Sequence, residues 1–150
     1  MSLFNKLNKK FDKLEINNIN YQELKFNDGK YIGQVVNGLA EGKGTRYGDN
    51  GDRFEGDWKN SKKEGKGIYY FNSGDRYEGD FRNGLQEGKG IYYHNNGDRY
   101  EGDFKNCKKE GKGIAYSSKG DRMMGDYYNN KPIGKNVMLT KNGNVKIENY

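Results

Sequence analysis

Polar and apolar residues alternate along this chain with period two, in short stretches bounded by glycine. In Tyr77-Glu78-Gly79-Asp80-Phe81, one face receives Tyr77, Gly79 and Phe81 and the other receives Glu78 and Asp80. Such alternation predicts a β-strand. Gly88-Lys89-Gly90-Ile91-Tyr92-Tyr93 behaves the same way, with Gly88, Gly90 and Tyr92 on one face and Lys89, Ile91 and Tyr93 on the other. The six residues between them carry Asn83-Gly84, so the two strands are expected to form a hairpin across a loop from Arg82 to Glu87. The arrangement returns every 23 residues, at Gly51-Asp52-Arg53, Gly74-Asp75-Arg76, Gly97-Asp98-Arg99 and Gly120-Asp121-Arg122. A period of that length predicts stacked supersecondary units, here an elongated, twisted antiparallel sheet of tandem β-hairpins.

The glycines follow from that sheet. Interior strand glycine is costly unless a neighbour must come close. Gly79 lies between two ring positions, and Gly88 and Gly90 are expected to face it from the second strand. Tyr77 can then lie flat over bare backbone, with offset stacking between rings of successive hairpins. On the opposite face Glu78 and Asp80 come near Lys89, predicting cross-strand charge pairs.

The pattern divides the chain. Residues 1–20 are read as a basic amphipathic helix and linker: Leu3, Phe4, Leu7, Phe11 and Leu14 recur at helical spacing among four lysines. Residues 21–150 are read as the sheet. Its full units are 28–50, 51–73, 74–96 and 97–119, followed by a degenerate unit 120–142 and a terminal strand 143–150. In the degenerate unit Met123 and Met124 replace Tyr and Glu, as expected of a cap.

Only 31% of the chain is hydrophobic, but 13 Tyr and 7 Phe sit in strict register, which argues for a thin ordered sheet rather than disorder. The net charge is +6. Residues 28–119 nevertheless hold seventeen Lys/Arg against fifteen acids in fine mixture. That is no basic stripe, so nucleic acid is not the expected partner. A single Cys excludes an internal disulfide, and with no secretory or transmembrane segment the default is a reducing, cytoplasmic setting.

The units resemble the MORN (membrane occupation and recognition nexus) repeat, a pattern of Tyr-x-Gly-x-Trp/Phe-x-Asn-Gly, a variable stretch and Gly-x-Gly. It stands here as Tyr77-Glu78-Gly79-Asp80-Phe81-Arg82-Asn83-Gly84 with Gly88-Lys89-Gly90, and as Phe54-Glu55-Gly56-Asp57-Trp58-Lys59-Asn60 with Gly65-Lys66-Gly67. The resemblance implies a non-enzymatic scaffold or tether in a eukaryotic assembly, with cytoskeletal, ciliary and membrane-associated settings all within the family.

No residue set suggests catalysis, a cofactor or a metal. His94 occupies a turn position held elsewhere by Phe71 and Ser117, and Cys107 one held by Ser61 and Gly84. Two departures from strict repetition attract interest. Lysine pairs, Lys62-Lys63 and Lys108-Lys109, recur in alternate hairpin loops 46 residues apart. They are either a by-product of duplicating a two-unit block or docking points for anionic lipid or an acidic protein. Ile68, Tyr70, Ile91, Tyr93, Ile114 and Tyr116 form a repeated stripe that either meets a protein partner or packs against the N-terminal helix or a second copy of the chain. That helix in turn covers the sheet, docks in a partner groove or lies on a membrane.

Overall fold

The computed structural model describes residues 21–150, so the helix expected over Leu3–Leu14 lies outside the described residues. Every described element is a strand: β1 (Tyr21–Phe26), β2 (Gly29–Val36), β3 (Leu39–Gly48), β4 (Arg53–Lys59), β5 (Lys62–Tyr70), β6 (Arg76–Arg82), β7 (Leu85–Tyr93), β8 (Arg99–Lys105), β9 (Lys108–Tyr116), β10 (Arg122–Tyr128), β11 (Lys131–Leu139) and β12 (Val145–Asn149). They lie in chain order in one antiparallel sheet. Eleven spacings of about 4.8 Å make the array about 53 Å long.

The hairpin loops are shorter than the sequence suggested. Lys59 pairs with Lys62, and Arg82 with Leu85, so each loop is two residues. Asn60 and Ser61 (φ 49° and 60°), Asn83 and Gly84 (50° and 88°) and Asn106 and Cys107 (50° and 62°) all take the left-handed region, as a type I′ turn requires. The residues that made the loop look longer belong to a bulge in the second strand. Gly79 pairs with Gly90 and Phe81 with Gln86, leaving Asp80 opposite Glu87, Gly88 and Lys89. Gly88 takes φ +67° there, and Asp80 Oδ2 accepts the Lys89 N–H at 3.2 Å.

One face of the sheet carries the core. Tyr31, Tyr77 and Tyr100 are fully buried, and Phe54, Trp58, Phe81, Phe104 and Tyr127 nearly so. The rings form a zigzag spine: Tyr31–Trp58 at 5.0 Å, Phe54–Trp58 at 5.3 Å, Phe54–Phe81 at 4.8 Å, Tyr77–Phe81 at 5.2 Å, Tyr77–Phe104 at 4.9 Å and Tyr100–Tyr127 at 4.9 Å. Interplanar angles of 73–88° across these pairs make them edge-to-face rather than offset-stacked. Tyr77 covers the glycine pair as expected, since a Cβ on Gly90 would stand 2.6 Å from its ring carbons. Its hydroxyl donates to the Asp80 carbonyl at the bulge, 3.1 Å away.

Successive hairpins are tied together by carboxylates. Glu64 accepts the Asn83 N–H at 2.9 Å and Glu87 the Asn106 N–H at 3.1 Å, each closing the next unit's tight turn. Asp52 accepts the Asn72 N–H at 2.8 Å and Asp75 the Asn95 N–H at 2.9 Å, at the opposite ends of the strands. The glutamates therefore cap across unit boundaries, while the aspartates join the turn that opens a unit to the turn that closes it.

Candidate functional site

The face opposite the rings is built from three ladders that cross the strands. β5 contributes Lys66, Ile68 and Tyr70 to it, and β6 contributes Arg76, Glu78 and Asp80. The register sets Lys66 opposite Asp80, Ile68 opposite Glu78 and Tyr70 opposite Arg76. The next hairpins repeat this with Lys89 and Asp103, Ile91 and Glu101, and Tyr93 and Arg99.

Each ladder has its own chemistry. Arg53 lies over the Tyr70 ring at 4.2 Å, Arg76 over Tyr93 at 4.2 Å and Arg99 over Tyr116 at 4.0 Å. These cation–π contacts hold the tyrosines against the sheet. Lys66 pairs with Asp80 at 2.5 Å, Lys89 with Asp103 at 2.5 Å and Lys112 with Asp126 at 3.1 Å, while Lys43 pairs with Asp57. The ammonium groups of Lys66, Lys89 and Lys112 thus pair with the following hairpin, while their backbone N–H groups donate to the aspartate of their own. Between these rows lies an open trough of about 1240 Å³ running from Lys43 to Gly125, with Ile68, Ile91 and Ile114 along it and glycine backbone as its floor.

All six residues of the expected stripe, Ile68, Tyr70, Ile91, Tyr93, Ile114 and Tyr116, come together here, half-buried and in register. The arginine partners were readable only by setting Gly-Asp-Arg opposite the Ile-Tyr-Tyr of the neighbouring strand.

The lysine pairs are placed differently from the expectation. They open β5 and β9 instead of lying in loops, so Lys62 and Lys63 point to opposite faces, as do Lys108 and Lys109. Lys62 and Lys108 are exposed. Lys63 turns onto the ring face, its Nζ 4.5 Å from Tyr69, 5.6 Å from Phe54 and 5.9 Å from Phe81. Lys109 Nζ lies 4.8 Å from the Tyr100 ring. Burial lowers the pKa of both ammonium groups. In alternate units Ala40 and Gln86 fill the same slot, both buried.

His94 follows β7 and packs on Tyr92 at 4.7 Å, and exposed Cys107 is the second residue of a tight turn. Among the described residues no group of three or more His, Cys, Asp or Glu could hold a metal ion.

The model of the MORN repeat matches four consecutive segments, residues 31–53, 54–76, 77–99 and 100–122. The chain belongs to the MORN repeat family. In this MORN protein each matched segment opens on a ring of the buried spine: Tyr31, Phe54, Tyr77 and Tyr100. No curated protein matches the chain. Among solved structures it is similar to the SAS-4 (dCPAP) TCP domain, solved in complex with a Proline Rich Motif of Ana2 (dSTIL) of Drosophila melanogaster. That likeness has a TM-score of 0.43 and 16% identity and covers 91% of this chain and 95% of that chain.

Proposed function

We propose that this MORN protein is a non-enzymatic scaffold that holds one or more protein partners against its trough face. The observation that carries the reading is the trough itself. Isoleucine recurs along it on β5, β7 and β9, and the arginine-stacked tyrosines of the same three strands form the neighbouring ladder on that face, with no ring spine to fill the space. Aromatic and arginine side chains are the residue types enriched at protein interfaces. A cytoplasmic assembly, cytoskeletal or ciliary, is the setting that the family resemblance favours.

The lysine placement speaks against an anionic-lipid surface built on paired lysines, because Lys63 and Lys109 are engaged with rings. A photo-crosslinker at position 91 tests the proposal. Partner capture from there, unaffected by salt and lost when Ile68 and Ile114 become Asp, supports it. Capture that falls steeply with salt and is equal from a crosslinker at the Lys119 turn contradicts it.

A further inference from the structure

Beside the ring spine runs a second, shorter column of rings, and it is incomplete. Tyr69 packs on Phe71 at 4.6 Å, Phe71 on Tyr92 at 5.6 Å and Tyr92 on His94 at 4.7 Å. Tyr69 donates its hydroxyl to Asp52 Oδ2 at 2.8 Å, and Tyr92 donates to Asp75 Oδ2 at 2.8 Å. One unit further the positions are Ala115 and Ser117, and the column stops.

The carboxylate that meets the ring hydroxyl at this position is still present, although Ser117 stands where Phe71 and His94 flank the earlier rings. Asp52 Oδ1 accepts Asn72 N–H at 2.8 Å, and its Oδ2 accepts Asn50 Nδ2 at 3.0 Å together with the Tyr69 hydroxyl. Asp98 Oδ1 accepts Ser118 N–H at 2.8 Å, and its Oδ2 accepts Asn96 Nδ2 at 3.0 Å. No phenol reaches Asp98, which draws instead on the Ser118 side chain, and Asp52 demonstrates that such an Oδ2 takes two donors. In the second unit Lys63 stands over Tyr69 at 4.5 Å. Its counterpart 46 residues on is Lys109, which borders the same opening as Ala115. That opening is a cavity of about 360 Å³ lined by His94, Asp98, Lys109, Met123, Met138 and Tyr150.

We propose that this cavity is a binding site for an unmodified tyrosine side chain of a protein partner. The entering ring continues the column beyond His94, with Met123 and Met138 against its edge and Lys109 over its face. Its hydroxyl donates to Asp98 Oδ2. The chain's own earlier repeats specify the ligand, because they hold a tyrosine ring in the equivalent place. The site lies on the ring face, opposite the trough, and does not depend on what the trough binds.

The test uses the full chain with labelled methionine methyls, titrated with p-cresol and with toluene, which has the same ring without the hydroxyl. The Met123 and Met138 signals are expected to shift with both, p-cresol binding about ten-fold tighter because its hydroxyl meets a carboxylate. Ala115→Tyr is expected to fill the cavity, abolish both shifts and raise the unfolding midpoint. Asp98→Asn leaves the cavity open and is expected to bring the two affinities within about three-fold. No p-cresol shift, equal binding of p-cresol and toluene by the natural chain, shifts that persist in a folded Ala115→Tyr, or an unchanged preference in Asp98→Asn would each overturn the proposal.

Discussion

The ring face and the trough face are made by the same strands, one residue apart, yet their packing differs completely. On the ring face Tyr77 is fully buried, closes over Gly79 and Gly90, and touches rings of the same and the next hairpin. On the trough face its neighbour Glu78 is exposed, and the apolar residues Ile68 and Ile91 across from it are only half-buried. A single-layer sheet has no second layer to cover its core, so one face must serve as its own core. Large rings over bare glycine achieve this, because the glycines let each ring lie within the thickness of the sheet. The other face is then left open.

Removing a spine ring tests that division most severely. Tyr77→Ala is expected to cost about 3–5 kcal/mol, as for other buried aromatic truncations, read by urea unfolding. Gly90→Ala keeps the ring but places a Cβ against it, and a loss of about 1–3 kcal/mol is expected from overpacking. In the fifth unit the ring and one of its two glycines change together, while Gly125 is kept. There Met123 replaces the ring, and the facing glycine position holds Asn136, fully buried, with Nδ2 donating to the Ile133 carbonyl at 2.8 Å.

The caps rank next. Asp75→Ala removes the acceptor for the Asn95 N–H and the Tyr92 hydroxyl, and a loss of about 1 kcal/mol is expected. Titration gives the same contacts a sign. The Asn95 N–H, the Tyr92 hydroxyl and the Ser73 hydroxyl hold Asp75 below its usual carboxylate range. At Asp52 hydrogen bonds from Asn72, Tyr69 and Asn50 outweigh the opposing effect of burial. A folded pKa below the unfolded one means stability that is present above about pH 4 and lost as pH falls further. Burial first, and then the Asp52 and Asp75 carboxylates, push Tyr69 and Tyr92 up to about 12. Their contribution is fully present below pH 10 and is lost as pH rises towards 12. The thermal midpoint should therefore decline at both ends of a pH series, and Asp75→Asn should shrink the acid limb.

The smallest effect is expected on the trough face. Lys66 is 71% exposed in its pair with Asp80, and Lys66→Ala should cost under about 1 kcal/mol, diminishing with salt.

The repeat made the strands, the hairpin order and the match of rings to glycines legible, because alternation with period two assigns faces directly. It hid the turn. Gly88-Lys89-Gly90 reads as the start of a strand, but the left-handed φ of Gly88 makes it a bulge. The strand therefore begins three residues earlier, at Leu85. That hidden step is also why Lys63 and Lys109 looked like loop lysines when they are ring-face residues. The caps by Glu64 and Asp75 were invisible for another reason: each bond joins residues 19 or 20 apart in different turns, which alternation along a strand does not encode. The trough stripe was legible as a face, whereas the opening beside Ala115 became visible only when one repeat was compared with another in space.

The central claim is that the ring face holds the fold and the trough face is free of that duty. The most direct measurement is urea unfolding of Ile68→Ser, Ile91→Ser, Ile114→Ser combined, beside Tyr77→Ala. The combined trough variant should lose less than the single ring variant while remaining a cooperatively folded chain, since its side chains are already half in water. A loss in the trough variant equal to or larger than that of Tyr77→Ala would contradict the account.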